Sequence, residues 1–313
     1  TKSPAMMRVL DMAERVAESP DTSVLIQGES GTGKDMVARF IHALTPGRSD
    51  NAYVELNCAA IGEQLAESEL FGHERGAFTD AKTSKRGLLE LADDGSLFLD
   101  EIADLGPGVQ GKLLRVLETM RFRRVGGTDE RSVDVRVLSA THRDLGEAVE
   151  AGQFRLDLYH RLDVFHLSVP PLRHRPEDVL DLAEQFLYAT ARRLGRDIEG
   201  IHPDAASALL AYRFPGNVRE LKNVMERAVI LETGRQLTSD ALVLGRRGAQ
   251  PTMPPPNVFF QASLDDEGQP PSLKEVERAY IEKVYEHASG NKTATARILG
   301  VSFPTVQKKL QDD

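Results

Sequence analysis

Seven consecutive residues carry the most specific chemical signal in this chain: Gly28, Glu29, Ser30, Gly31, Thr32, Gly33 and Lys34. They follow the apolar run Val24-Leu25-Ile26 and precede a stretch with helical patterning. Glycines at 28, 31 and 33 let the backbone turn with its N–H groups converging on phosphate oxygens, while Lys34 reaches for the outer phosphates. Set between a buried strand and a helix N-terminus, such a loop binds a nucleoside triphosphate. Lys34 is followed by Asp35 rather than the Ser or Thr whose hydroxyl usually touches Mg²⁺. The metal is therefore expected to lean on other groups.

Those groups stand roughly 65 residues downstream, where residues 95–101 read Gly-Ser-Leu-Phe-Leu-Asp-Glu. A buried strand ends there in two carboxylates, at the edge where open α/β sheets place ligands. Asp100 is expected in the Mg²⁺ shell with waters and phosphates, and Glu101 to polarise the attacking water. A paired Asp-Glu alone is weak; behind this strand and downstream of a phosphate loop it points to hydrolysis of ATP.

The elements that must position these groups can be read from hydrophobic patterning. Apolar runs at Ser23–Ile26, Tyr53–Leu56, Ser96–Leu99, Arg136–Ala140 and Val164–Val169 alternate with helical patterns up to about Pro171. Near-continuous apolar strands alternating with helices imply a parallel sheet covered on both faces. From Arg175 to about Leu244 the pattern turns helical: Val179, Leu182, Ala183, Phe186 and Leu187, then Ala205–Leu210 and Val218–Leu231. Residues 246–271 carry six prolines among Gly and polar residues and read as a linker. Residues 272–313 are helical again. The expected division is an α/β nucleotide-binding part over 1–172, a helical lid over 173–245, the linker, and a terminal helical module.

At 313 residues the chain has room for two or three domains of about 100–200 residues each. A net charge of −9 excludes a protein that is basic throughout, though not one small basic element. The single cysteine, Cys58, excludes an internal disulfide framework, fits a reducing, cytoplasmic setting, and reads as a small buried hydrophobe. No apolar run approaches the ~18 residues of a membrane span, no signal peptide is visible, and the histidines form no metal-ligand pattern. The chain enters at Thr1 directly into the helical pattern Met6, Val9, Leu10, Ala13, Val16, which reads as a fragment with an upstream part removed.

Residues 69–81 read Glu-Leu-Phe-Gly-His-Glu-Arg-Gly-Ala-Phe-Thr-Asp-Ala. Together with the phosphate loop and the 95–101 strand, this resembles the AAA+ ATPase domain of the bacterial enhancer-binding proteins, activators of sigma-54 RNA polymerase. The resemblance implies that Gly76, Ala77, Phe78, Thr79, Asp80 and Ala81 form the loop that touches sigma-54. A Gly-flanked Phe in a polar segment independently suggests an exposed anchor. Asp80 stands where the family's motif has Gly; it tolerates a left-handed backbone but adds charge beside the contact. Asp80 is also the one feature favouring an alternative, a DNA-binding regulator that uses nucleotide only as an oligomerisation switch.

The resemblance further implies that Asn57 restrains the catalytic Glu101 until nucleotide binds. Thr141 and His142 would sense the γ-phosphate, and Arg219 would do so from the lid. Arg155 and Arg161 resemble arginine fingers donated to a neighbouring protomer, although their spacing alone suggests surface ion pairs. Gly126-Gly127 resembles the family's pre-sensor insertion. Asn217, after the break at Pro215-Gly216, is expected to cap the helix carrying Arg219. Activity would then require self-association, through a dimer to an active hexamer or heptamer.

Residues 291–310 hold Lys292, Arg297, Lys308 and Lys309 with no acidic residue, against the acidic background. Asn291 as N-cap, Gly300 at a helix end, and Ser302 with Pro304 opening a second helix describe a helix-turn-helix. It resembles the Fis-type module that ends this family, with helices expected over Leu273–Ala288 before it. Lys292, Ser302, Thr305, Gln307, Lys308 and Lys309 are the expected contacts to double-stranded DNA.

Overall fold

A computed structural model describes residues 1–79, 81–245, 272–288 and 290–309. They fall into two compact units, residues 1–244 and 245–313. The first is built on a five-stranded sheet. Its strands are β1 (Val24–Gln27), β2 (Tyr53–Asn57), β3 (Ser96–Asp100), β6 (Arg136–Thr141) and β7 (Phe165–Ser168). Between β3 and β6 the chain makes a separate antiparallel hairpin of β4 (Arg121–Arg123) and β5 (Glu130–Ser132). The large sheet has the order β2-β3-β6-β1-β7 and every pairing in it is parallel.

Alternation along these strands feeds two cores. Leu25, Leu97, Leu99 and Val137 point to one face, while Val24, Ile26, Phe98, Leu138 and Ala140 point to the other. The second face is covered by α1 (Pro4–Ala17) and α2 (Lys34–Leu44), whose Met6, Val9, Ala13, Val37 and Ile41 are buried there. The first face is covered by α3 (Glu63–Phe71), α4 (Leu88–Leu91), α5 (Pro107–Thr119), α6 (Leu145–Glu150) and α7 (Leu156–Leu162). Arg136, fully buried at the start of β6, donates to Thr45 Oγ1 (2.6 Å) and to Val16 O (2.7 Å). It thus adds a second donor to a carbonyl at the end of α1 that also accepts from Ser19 N at 3.1 Å.

Parallel register aligns the strand ends. Asn57 lies opposite Asp100, and Gln27 opposite Thr141. Asn57, Asp100, Glu101, Thr141 and His142 are thereby gathered at one edge, because each is the last residue of its strand or follows it directly.

Helices α8 (Glu177–Leu194), α9 (Pro203–Ala211) and α10 (Asn217–Leu231) form a separate core around Leu187, Leu209, Phe214, Leu221 and Met225, into which Leu172 also packs. Two strand pairs depart from the sequence reading. The hairpin β4–β5 was not expected, and the helical part contains a short parallel pair, β8 (Gly200–Ile201) with β9 (Gln236–Leu237). Strands of two or three residues are too short to show a period of two.

In the second unit, α11 (Leu273–His287), α12 (Lys292–Leu299) and α13 (Phe303–Lys309) bury Ile281, Val284, Ala296 and Val306. One continuous helix occupies the stretch where preceding helices were expected, since nothing between 273 and 287 breaks it. The Pro-rich stretch 246–271 and Asp80 lie outside the described residues.

Candidate functional site

The phosphate loop spans the gap between β1 and α2. Gly31 (φ +78°) and Gly33 (φ +97°) occupy the left-handed region, and Gly33 is the N-cap of α2. A Cβ on Gly31 would stand 2.6 Å from Gly216 O, so the loop needs glycine there for contact with the helical part as well as for its turn. Thr32 Oγ1 closes the loop by donating to Glu29 O at 2.9 Å. Lys34 is buried: its Nζ donates to Gly28 O (2.8 Å) and Glu29 O (3.3 Å) and lies 3.9 Å from Glu101 Oε1. Burial pulls its pKa below the usual lysine value, and the nearby Glu101 and Asp100 pull it back up. The ammonium is stored on the loop's own carbonyls. Asp35 sits exposed in the first turn of α2, where a carboxylate is favoured by the helix dipole.

At the end of β3, Asp100 is half-buried, and burial together with the adjacent Glu101 raises its carboxyl pKa. Glu101 has a left-handed backbone (φ +53°), which turns its side chain out of the strand direction. Its Oε2 lies 2.6 Å from His142 Nδ1 and accepts from His142 N at 3.2 Å. The amide of Asn57 lies nearest Asp100, with Nδ2 at 3.5 Å from Oδ2, while its Oδ1 accepts from Ala59 N and Ala60 N. The glutamate is held by His142, whereas the hydrogen bonds of Asn57 go to Asp100, Ala59 and Ala60. Thr141 is buried at the end of β6, with its hydroxyl accepting from Arg143 N at 3.0 Å.

The helical part closes the other side. Arg219 Nη1 donates to Ser30 Oγ at 3.0 Å, and Val218 N and Arg219 N donate to Gly31 O at 2.9 and 3.3 Å. The phosphate loop therefore satisfies N–H groups that the start of α10 leaves open. Asn217 does not cap this helix as expected. The N-cap is Gly216, and Asn217 is the first helical residue, fully buried at φ +53°. Its side chain is used elsewhere: Nδ2 donates to Glu29 Oε2 and Ser30 O, both at 3.1 Å, and Oδ1 accepts from Leu172 N at 2.8 Å. Arg173 and Arg175, which sequence reasoning missed, also reach the loop. Arg173 donates to both oxygens of Glu29 (2.8 and 2.6 Å), and Arg175 Nη2 donates to Thr32 O at 2.6 Å. More than 140 residues separate each pair, and no local pattern marks them.

Lys34, Asp35, Asn57, Asp100, Glu101 and Arg219 line a single cleft of about 390 Å³. Arg155 and Arg161 do not line it. Arg155 is exposed just before α7 and forms a two-pronged pair with Asp157 (3.0 and 2.7 Å), which raises its pKa. Arg161 donates through Nε and Nη2 to Leu117 O (3.0 and 2.7 Å). Cys58 is buried, and burial pushes its thiol up to about 12, as befits a core residue and not a nucleophile.

The loop carrying Phe78 is closed at its base. Gly76 N donates to Ala81 O (2.8 Å) and Ala81 N to Phe78 O (2.9 Å), with Gly76 at φ +83°. Ala77 rests against Gly126, where a Cβ would come within 2.7 Å of Ala77 Cβ. Ala81 is buried, whereas Phe78 is 45% exposed and Thr79 is exposed; the Phe78 ring meets His73 edge-on at 4.9 Å. The loop is joined to the β4–β5 hairpin by Glu74 N to Val125 O (3.0 Å) and by Arg124, which pairs with Glu74 (3.0 Å) and Glu90 (2.8 Å).

In the second unit Asn291 Oδ1 accepts from Thr293 N and Ala294 N, and Gly300 (φ +66°) ends α12, as the sequence suggests. Ser302, Thr305, Gln307 and Lys308 are exposed and Lys292 is half-buried. Lys309 pairs with Glu277 on α11 at 2.7 Å.

Comparison with known proteins agrees with this geometry. Residues 1–168 match the Sigma-54 interaction domain, residues 173–257 the AAA+ ATPase lid domain, and residues 272–312 the Fis family of bacterial regulatory proteins. The chain is 48% identical over 308 residues to the transcriptional regulatory protein ZraR of Klebsiella oxytoca, covering 98% of this chain and 67% of that protein. It is 45% identical over 312 residues to the regulatory protein AtoC of Escherichia coli K12, again covering 67% of that protein. Among solved structures it is similar to NtrX from Brucella abortus in complex with ATP, with a TM-score of 0.74 and 35% identity over 99% of this chain and 68% of that one.

Proposed function

The chain belongs to the sigma-54-dependent transcriptional activators, and from that premise we propose how its residues divide the labour of an ATPase that works on the transcription machinery. One observation carries the reading. Lys34, the adjacent pair Asp100-Glu101 and Arg219 come from three distant places in the chain and converge on one cleft at the carboxyl edge of a parallel sheet. Glycines 28, 31 and 33, with Glu29, Ser30, Thr32 and Asp35, shape the phosphate cradle. Lys34 leaves its carbonyl partners for the outer phosphates. Glu101 orients and polarises the attacking water, and Thr141, His142 and Arg219 register the γ-phosphate.

A hard divalent cation fits the donor set. Asp100 ends its strand in the cleft beside Glu101, and the described residues offer no group of three or more His, Cys, Asp or Glu that could cage a metal. Mg²⁺ characteristically binds one or two carboxylates plus substrate phosphates and water. When bound, it neutralises phosphate charge.

Arg155 and Arg161 stand outside their own cleft on exposed sites. We assign them to the cleft of a neighbouring subunit in a self-associated ring, with Arg155 leaving Asp157 to reach it. Phe78 and Thr79, on the loop from Gly76 to Ala81 that includes Asp80, meet sigma-54. The second unit places α13 on DNA through Thr305, Gln307 and Lys308, with Lys292, Ser302 and, once released from Glu277, Lys309. The setting is the cytoplasm, where a sigma-54 activator meets polymerase and DNA.

Specific ATPase activity measured against protein concentration tests the ring. An arginine supplied in trans is worth on the order of 10³–10⁵ in rate, so activity should climb steeply and follow oligomerisation. Undiminished activity in a diluted monomer would remove the trans assignment. Open-complex formation with sigma-54 polymerase, dependent on hydrolysable ATP, tests the partner.

A further inference from the structure

Glu29 occupies the second position of the phosphate loop, yet it does not line the nucleotide cleft. Its two oxygens are taken by the Arg173 guanidinium (2.8 and 2.6 Å), and Oε2 also accepts from Asn217 Nδ2 (3.1 Å). These partners, Arg173 first and then Asn217, hold its carboxyl down at about 2. Asn217 is fully buried and adopts a left-handed backbone that costs a non-glycine residue free energy. That conformation lets one side chain hold Glu29, the Ser30 carbonyl and Leu172 N together. One residue further, the backbone of α10 donates to Gly31 O. Any shift of residues 29–31 on binding a triphosphate must therefore move the start of α10 and the strap at 172–175.

We propose that Glu29, gripped by Arg173 and Asn217, is the latch that couples nucleotide occupancy of the phosphate loop to the orientation of the helical part, so that these three are positioning residues for ATP turnover. The inference rests on ATP binding at the loop.

The test uses the full chain with spin labels on Met36→Cys in α2 and Leu210→Cys in α9, both exposed at 64% and 49%. Buried Cys58 stays unlabelled. Electron–electron distance measurements are made with and without a slowly hydrolysed ATP analogue, alongside steady-state ATPase assays. In the unsubstituted background ATP should move the distance peak. In Arg173→Ala and Asn217→Gly, the second of which keeps the backbone conformation, that movement should vanish. The KM for ATP should rise about five- to tenfold, within the usual range of coupling between sites, with kcat for Arg173→Ala changing less than twofold. Arg173→Lys should recover part of both effects. Arg173 is on the surface, so a folding defect in Asn217→Gly leaves the Arg173 arm decisive. A nucleotide-driven distance change that persists in Arg173→Ala overturns the latch, whether or not KM moves. Absence of ATP turnover in the unsubstituted chain would instead remove the nucleotide assignment beneath it.

Discussion

The nucleotide cleft and the Phe78 loop lie in the same α/β unit but are built on opposite plans. In the cleft the charged groups are already partnered, Lys34 on two carbonyls, Glu101 on His142 and Arg219 on Ser30, and behind it Glu29 is held by Arg173 and Asn217. The loop is tied at its base, by Gly76 with Ala81 and by Glu74 with Val125, and it leaves Phe78, which rests edge-on against His73, and Thr79 exposed. A chemical site benefits from charges fixed in place before the reaction. A contact surface benefits from an apolar group held ready in water on a narrow stalk. On the proposed reading the difference separates energy release from its use, and substitutions should separate them too.

The largest expected effect is at Glu101. Glu101→Gln should lower kcat about 10²–10⁴-fold, the usual worth of a general base, while nucleotide binding measured by fluorescence titration stays within a fewfold. If binding is lost together with turnover, Glu101 is structural and the contrast weakens.

Next in size is the loop tip. Phe78→Ala should leave ATPase activity within twofold but cut open-complex formation about thirtyfold or more, the loss of an interface anchor worth ~2 kcal/mol. Equal losses in both assays would show that the two regions are not separable.

Smaller again is the junction behind the loop. Gly126 is at φ +73°, and an added methyl would press on Ala77. Gly126→Ala should weaken sigma-54 binding by about fivefold, since a left-handed alanine costs on the order of 1 kcal/mol. ATPase activity should stay near that of the parent, and unchanged sigma-54 affinity would mean the loop's seat does not matter.

The smallest effect concerns acid. Glu29 has a folded-state pKa of about 2 against 4.5 for the free side chain. A depressed carboxylate contributes stability above its unfolded value and loses it as pH falls through the folded one. The thermal midpoint of Arg173→Ala should therefore sit below that of the parent above about pH 4.5, and the two should converge toward pH 2. A constant offset throughout would exclude the Glu29 pair as its source.

Much of this architecture could be read from residue order. The five sheet strands lie within about a residue of the apolar runs, because buried parallel strands are apolar on both faces. The cap at Asn291 and the turn at Gly300 follow from side-chain chemistry within three or four residues. The hairpin β4–β5 was not legible, because three-residue charged strands carry no periodicity. The role of Asn217 was misread for a related reason. A local rule makes it a cap, but its actual partners, Glu29 and Leu172, are distant in the chain.

By itself the order of residues determined that this chain holds a phosphate loop, a strand ending in two carboxylates, a Gly-flanked aromatic loop and a basic helix pair, since each is a local pattern with a local cause. Only the tertiary structure decided which groups meet. It placed His142 rather than Asn57 on Glu101, Arg173 and Asn217 on Glu29, and both candidate fingers outside their own cleft. Such pairings come from strand register and from the docking of one subdomain on another, and those depend on contacts between residues far apart in sequence, which no window along the chain contains.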